Sequence, residues 1–124
     1  EYYIIENKSF FCFGGAKSHD KEFRTRDVNW WPDEVPSEEE KKKGLETLAK
    51  NGNQVDYVVF HTIPLRYVKD IPGRFRFKSY DSTCDYLESI CQTVNFKHGF
   101  SGHFHLDREL YKWTILYYKI KQIV

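Results

Sequence analysis

The sequence predicts one α/β domain, a mixed sheet covered by helices, and three observations lead there. Helix-like and strand-like stretches alternate along the chain. A pair of strand-like runs stands at each end. No repeat or low-complexity tract interrupts the pattern, and 124 residues suffice for one domain, or one half-domain, with one core.

The elements follow in order. "EYYIIENKSFFCFGG" reads as two short strands around an Asn-Lys-Ser turn, ended by a glycine pair. From Ala16 to Pro36 the chain is polar, with Pro32, Pro36 and the pair Trp30-Trp31. This is a long loop, and such loops inside compact domains are usually functional or disordered; buried tryptophans would favour function. "PSEEEKKKGLETLAKNG" is a helix: Ser37 caps it, Glu40 completes a capping box, acids fill the first turn and Asn51-Gly52 ends it. "VDYVVF" is a short apolar run of the kind buried on both faces of a sheet, and it stops at His61. "HTIPLRYVKDIPGRFRFKSY" is a second long loop, with Pro64 setting the turn after His61. A helix from about Asp81 to Val94 places Cys84, Leu87, Cys91 and Val94 on one face. "FKHGF" is a short strand leading into "SGHFH", and "LYKWTILYYKI" is the last strand.

Composition bounds the function. Aromatics make up 18% of the residues, which predicts a core built on large rings, and charged residues make up 30%, which keeps the surface solvated. The net charge of +1 gives no global pull toward nucleic acid or an anionic membrane, and nucleic acid is not expected as a partner. Basic residues do cluster in "KEFRTR" and "RFRFK". The second string alternates charge and ring as nucleic-acid binders do, but fits an amphipathic edge strand better. No apolar run approaches the roughly 20 residues needed to span a bilayer. The opening "EYYIIENKSF" lacks a basic n-region, so no signal peptide is expected, and the chain starts directly on a strand-like run. Cys12, Cys84 and Cys91 are odd in number and irregular in spacing, which predicts free buried thiols in a reducing cytoplasm rather than a disulfide framework.

The histidines carry the chemistry. His61, His103 and His105 each follow an apolar strand. Ligands bind outside the carboxyl ends of the strands of open α/β sheets, and neutral imidazole is the commonest metal ligand. Gly102 has no Cβ and would let the backbone turn sharply to aim the next side chain. In an extended segment, residues two apart point the same way, so His103 and His105 would face one site while Phe104 packs inward. His61 is expected to converge with them. The plain alternative, two surface imidazoles adjacent by chance, weakens once Gly102 and a third strand-end histidine are counted. His98 reads as structural and His19 as surface or supporting.

With these blocks in view, the chain resembles the calcineurin-like metallophosphoesterases. "SGHFH" resembles their final Gly-His-x-His block, and "VDYVVFHTIPL" the preceding block, in which an apolar strand ends in a lone metal-binding histidine. "FGGAKSHDKEFR" and "NWWPDEVPSEEE" resemble a Gly-Gly-Ala-x-Ser-x-Asp turn and a Trp-Trp-Pro-x-Glu loop of a small bacterial and phage subgroup. The resemblance spans nearly the whole chain, in order. It implies the C-terminal half of a four-layer α/β/β/α sandwich. It also implies two divalent transition metal ions (Mn, Fe, Zn or Ni), with His61 and His103 on one ion and His105 on the other. The implied reaction is hydrolysis of a phosphomonoester or phosphodiester substrate by a hydroxide that two metals activate.

The departure is equally specific. The family's Asp-x-His, bridging Gly-Asp and Gly-Asn-His blocks do not occur here, and "NGNQVD" lacks the histidine. The resemblance therefore implies that the carboxylate ligands and the catalytic acid come from the missing N-terminal half, upstream of Glu1, or from a complementing chain. These residues alone are expected to be inactive and to aggregate, dimerise or need that segment, because a half-sandwich exposes a sheet face and strand edges. Around the site, Asp20 and Arg24 are expected to pair and brace the loop, or to form a plain surface ion pair. Arg24 and Arg26 could attract a phosphate or lie solvated. Trp30 and Trp31 could wall the substrate pocket or bury the long loop. Two rival readings remain. One is a non-catalytic metal-binding or interaction module without the carboxylate half; the other is a domain with one three-histidine zinc site. The expected compartment is the cytoplasm.

Overall fold

The computed structural model describes residues 1–18, 21–73 and 80–124. Six strands form one mixed sheet: β1 (Tyr2–Ile5), β2 (Lys8–Phe13), β3 (Gln54–Phe60), β4 (Asn95–Ser101), β5 (Arg108–Leu110) and β6 (Trp113–Ile115). The described helices are α1 (Glu38–Lys50), α2 (Leu65–Val68) and α3 (Ser82–Thr93), with short 3-10 turns at Lys21–Phe23 and Pro32–Glu34. The spatial order of the sheet is β1-β2-β3-β4-β6-β5. The inner strands β2, β3, β4 and β6 run parallel, and β1 and β5 close the two edges antiparallel.

Local chemistry explains most boundaries. The Ser37 hydroxyl accepts from the Glu40 amide at 3.2 Å, and the Glu40 carboxylate accepts from the Ser37 amide at 2.8 Å, which completes the expected capping box of α1. Asp81 caps α3 by accepting from the Thr83 amide at 2.6 Å. The buried face of α3 holds Cys84, Leu87 and Ile90, while Cys91 is only half-buried. The first hairpin turns one residue earlier than the Asn-Lys-Ser string suggests. Glu6 (φ 48°) and Asn7 (φ 59°) form the turn, and two central residues at positive φ match the right-handed twist of the flanking strands.

The C-terminal run departs further from expectation. "LYKWTILYYKI" is not one strand but the second half of a β5–β6 hairpin that turns at Lys112 (φ 58°) and leaves the sheet after Ile115. The cause is visible at Asp107. Its carboxylate accepts from the amides of Tyr117, Tyr118 and Lys119 at 2.8, 3.2 and 3.1 Å, so those amides are turned away from any strand ladder.

Both crossovers, β2 to β3 through α1 and β3 to β4 through α3, step the same way across the sheet. Right-handed connections then place both helices on one face. There Phe11, Val58, Phe60, Trp113 and Ile115 of the sheet meet Leu48, Tyr86, Leu87 and Ile90 of the helices in one core. Two glycines allow the close approach. A Cβ on Gly44 would lie 2.3 Å from the Tyr86 hydroxyl, and one on Gly99 would lie 2.1 Å from the Trp113 ring. The opposite face carries a ring row, Phe10 to Tyr57 at 5.2 Å and Tyr57 to Phe100 at 6.0 Å, partly crossed by residues 121–124. Among the described residues, no helix is long and apolar enough to cross a membrane. The "RFRFK" edge-strand reading concerns residues 74–78, outside the described residues.

Candidate metal centre

Because β2, β3, β4 and β6 are parallel, their carboxyl ends share one edge of the sheet. The residues that follow them are Gly14-Gly15, His61, Gly102-His103 and Leu116-Tyr117. The register pairs Phe60 with Ser101, and one further hydrogen bond, from the Gly102 amide to the His61 carbonyl at 3.2 Å, extends the pairing past the strands. That extension brings two imidazoles together. His61 Nε2 lies 3.0 Å from His103 Nδ1, with ring centroids 4.8 Å apart and ring planes at 67°.

A pair of ring nitrogens at this distance has two uses. One ring can donate N–H to the other. Alternatively, both lone pairs can aim at one cation. With metal–nitrogen bonds of about 2.0–2.1 Å, adjacent nitrogens on one ion stand about 3 to 3.4 Å apart, so the separation suits two ligands of one divalent metal as well as it suits a ring-to-ring hydrogen bond. Burial against the strand end lowers the His61 pKa, and the Glu34 charge opposes that shift only in part. The ring is therefore neutral at neutral pH, the protonation state a ligand needs.

The segment after Gly102 is not extended, which changes the expected geometry. His103 (φ 71°) and His105 (φ 50°) both hold positive φ, while Gly102 does not. A Cβ at Gly102 would meet only the Leu116 carbonyl at 3.8 Å, an ordinary contact. The turning is thus done by the histidines themselves, a residue type that enters the left-handed region more readily than most. Alternation along a strand no longer applies. The His103 ring goes to His61, and the His105 ring stacks on Tyr117 at 4.8 Å and 18°. Phe104 packs into the core as expected. Among the described residues, no group of three or more His, Cys, Asp or Glu side chains stands together as a metal site. The expected convergence therefore holds for His61 with His103, while His105 stands on Tyr117.

A cleft of about 780 Å³ runs from His61 along α1, lined among others by Phe13, Gly14, Glu34 and Lys43. Glu34 is the residue that sequence reasoning missed. It accepts from the Ser18 amide at 2.7 Å, the Ser18 hydroxyl at 2.6 Å and the Trp30 indole at 2.8 Å. Burial works to raise its pKa, but these hydrogen bonds and the Arg24 charge outweigh burial and hold the carboxyl below its ordinary range. It is an ionised carboxylate facing the same cleft as His61. The available signal was the four-residue spacing from Trp30 to Glu34 within "WWPDE".

The remaining expectations resolve individually. Trp30 is half-buried and braces Glu34, with Lys21 Nζ 4.1 Å above its ring, whereas Trp31 is 52% exposed and does not bury the loop. Arg24 donates to the Asn29 carbonyl at 3.0 Å, and Arg26 lies 3.4 Å from Asp27. Asp20 and His19 lie outside the described residues, and so does the Asp20–Arg24 pair. His98 is structural, as expected: its Nε2 lies 2.8 Å from the Thr114 hydroxyl, which donates to Glu109 at 2.7 Å. None of the described cysteines forms a disulfide; Cys84 is buried, and Cys12 and Cys91 are half-buried. No family model matches the chain, and neither a curated protein nor a solved structure matches it.

Proposed function

We propose that this chain is the histidine-bearing C-terminal half of a dinuclear metal-dependent phosphoesterase of the calcineurin-like kind. The observation that carries the reading is the 3.0 Å approach of His61 Nε2 to His103 Nδ1 across the ends of two adjacent parallel strands. These are the two positions where the resemblance places ligands of one shared ion. Bound divalent ions would supply Lewis acidity toward water and the phosphate oxygens. The chain's own part is narrower. His61 and His103 hold one ion without cancelling its charge, and His105 offers a ligand to the second. The cleft beside His61 admits the ester, and Glu34 adds a fixed negative charge at its wall. The carboxylates that complete both sites come from the segment upstream of Glu1 or from a complementing chain. The whole assembles as an α/β/β/α sandwich on the ring-rich face of this sheet.

The test has two parts. Metal-stripped chain is titrated with Mn²⁺, Ni²⁺ or Zn²⁺, with His61→Ala and His103→Ala as controls. The protein carrying the carboxylate half is then assayed on an activated aryl phosphomonoester and diester. Uptake that requires both histidines, together with metal-dependent hydrolysis, supports the reading; metal uptake indifferent to both substitutions overturns it. A second reading is a metal-binding module without catalysis, in which the His61–His103 pair alone holds an ion. Metal uptake without hydrolysis in the completed protein would select it.

A further inference from the structure

We infer that Tyr117, clasped by Asp107, is the positioning residue of His105. The inference rests on the metal-site reading above, in which His105 is a ligand. His105 is exposed at the surface, on a turn at positive φ, where an imidazole would ordinarily sample several rotamers. Here one loop grips the departing chain at two points. Two residues after His105, the Asp107 carboxylate accepts from the Tyr117 amide at 2.8 Å, and it takes the Tyr118 and Lys119 amides as well. The Leu116 amide donates to the Ser101 carbonyl at 2.9 Å, which ties the same segment to the end of β4. The Tyr117 backbone is thereby held from both sides.

The Tyr117 ring then lies nearly parallel to the His105 ring, 18° apart with centroids at 4.8 Å. A stacked partner occupies one face of the imidazole but leaves both in-plane nitrogens free of the contact. Metal ligation uses those nitrogens in the ring plane, so the stack fixes the plane without competing for the lone pair. Tyr118 completes the clamp, its ring 4.2 Å from that of Tyr117. The arrangement does for His105 what a hydrogen-bonded carboxylate does for many metal-binding histidines: it fixes orientation before the ion arrives.

The experiment uses the protein completed by its carboxylate half, with ¹³C- and ¹⁵N-labelled histidine. Ring-proton shifts of His105 are read by NMR, metal affinity by Co²⁺ titration, and folding by thermal melting. In the wild type, the ring current of Tyr117 displaces the His105 ring protons upfield. Tyr117→Phe keeps that displacement and the Co²⁺ affinity. Tyr117→Ala and Asp107→Ala abolish it, and affinity at the His105 site drops about 10- to 100-fold, the usual cost of removing an outer support of a metal ligand. Both variants still melt cooperatively. A wild-type His105 signal without the displacement overturns the inference, as does unchanged Co²⁺ affinity in Tyr117→Ala once the displacement is gone. If the wild type takes up no metal while the ring signals behave as described, the proposed function falls and the positioning of His105 stands.

Discussion

His61 and His103 stand 42 residues apart in sequence, yet their ring nitrogens Nε2 and Nδ1 lie 3.0 Å apart. The contact depends on two parallel strands ending at the same height, Phe60 beside Ser101, and on a left-handed backbone at His103. The first condition joins distant segments and the second is a local backbone turn, and both must hold for the pair to form.

Replacing His103 tests the chemistry most directly. In the protein completed by its carboxylate half, His103→Ala should bind metal more weakly and lose several kcal/mol of transition-state stabilisation, roughly a thousandfold in rate. Elemental analysis and hydrolysis of an aryl phosphate read the two effects. Full metal content together with wild-type turnover would remove "GHFH" from the catalytic site.

Glu34 should make stability depend on pH. Its folded pKa lies below the ordinary 4.5, so its contribution is present above pH 4.5 and is lost as pH falls through the folded value. Glu34→Gln should cost about 1 kcal/mol at neutral pH, because the Ser18 and Trp30 donors lose a charged acceptor at a partly buried site. It should also flatten the acid limb of the stability curve. Urea unfolding at a series of pH values tests both effects; an acid limb identical in the variant would show that Glu34 plays no part in it.

The approach of Trp113 to Gly99 predicts a steep local response. Gly99→Ala would place a methyl group 2.1 Å from a fully buried indole ring. The ring cannot move aside without opening the core, so a loss of about 3 kcal/mol is expected. Denaturant melts read it, and the Trp113 fluorescence should shift with solvent entry. A neutral result would mean that the ring does not lie over Gly99.

Thiol reactivity provides a fourth check. Burial pushes the Cys91 thiol up to about 12 and raises Cys84 and Cys12 as well. At neutral pH the native protein should therefore label slowly with a thiol reagent at all three positions, and quickly once unfolded. Rapid native modification of Cys84, located by mass spectrometry, would contradict its burial.

Much of the scaffold is legible in the sequence because its causes are local. Ser37 and Glu40 lie three residues apart and announce the start of α1, and Asn51-Gly52 announces its end. The apolar run ending at His61 marks β3, and helix-strand alternation marks a mixed α/β sheet. The same local reading failed in "LYKWTILYYKI", because Asp107, outside the string, draws off the amides that the strand would have used. It failed again at "GHFH", where positive φ at both histidines replaced the assumed alternation.

The sequence by itself determined which residues are available for chemistry and where on the chain they stand: three strand-end histidines, a cap, a glycine before them and a pair of tryptophans. Only the tertiary structure decided which of them meet. Parallel register across β3 and β4 joined His61 to His103, His105 came to stack on Tyr117, and the folding back of the long loop set Glu34 against Ser18. Propensity and capping act over three or four residues, whereas register, crossover handedness and a single carboxylate's choice of amides act between segments far apart in sequence.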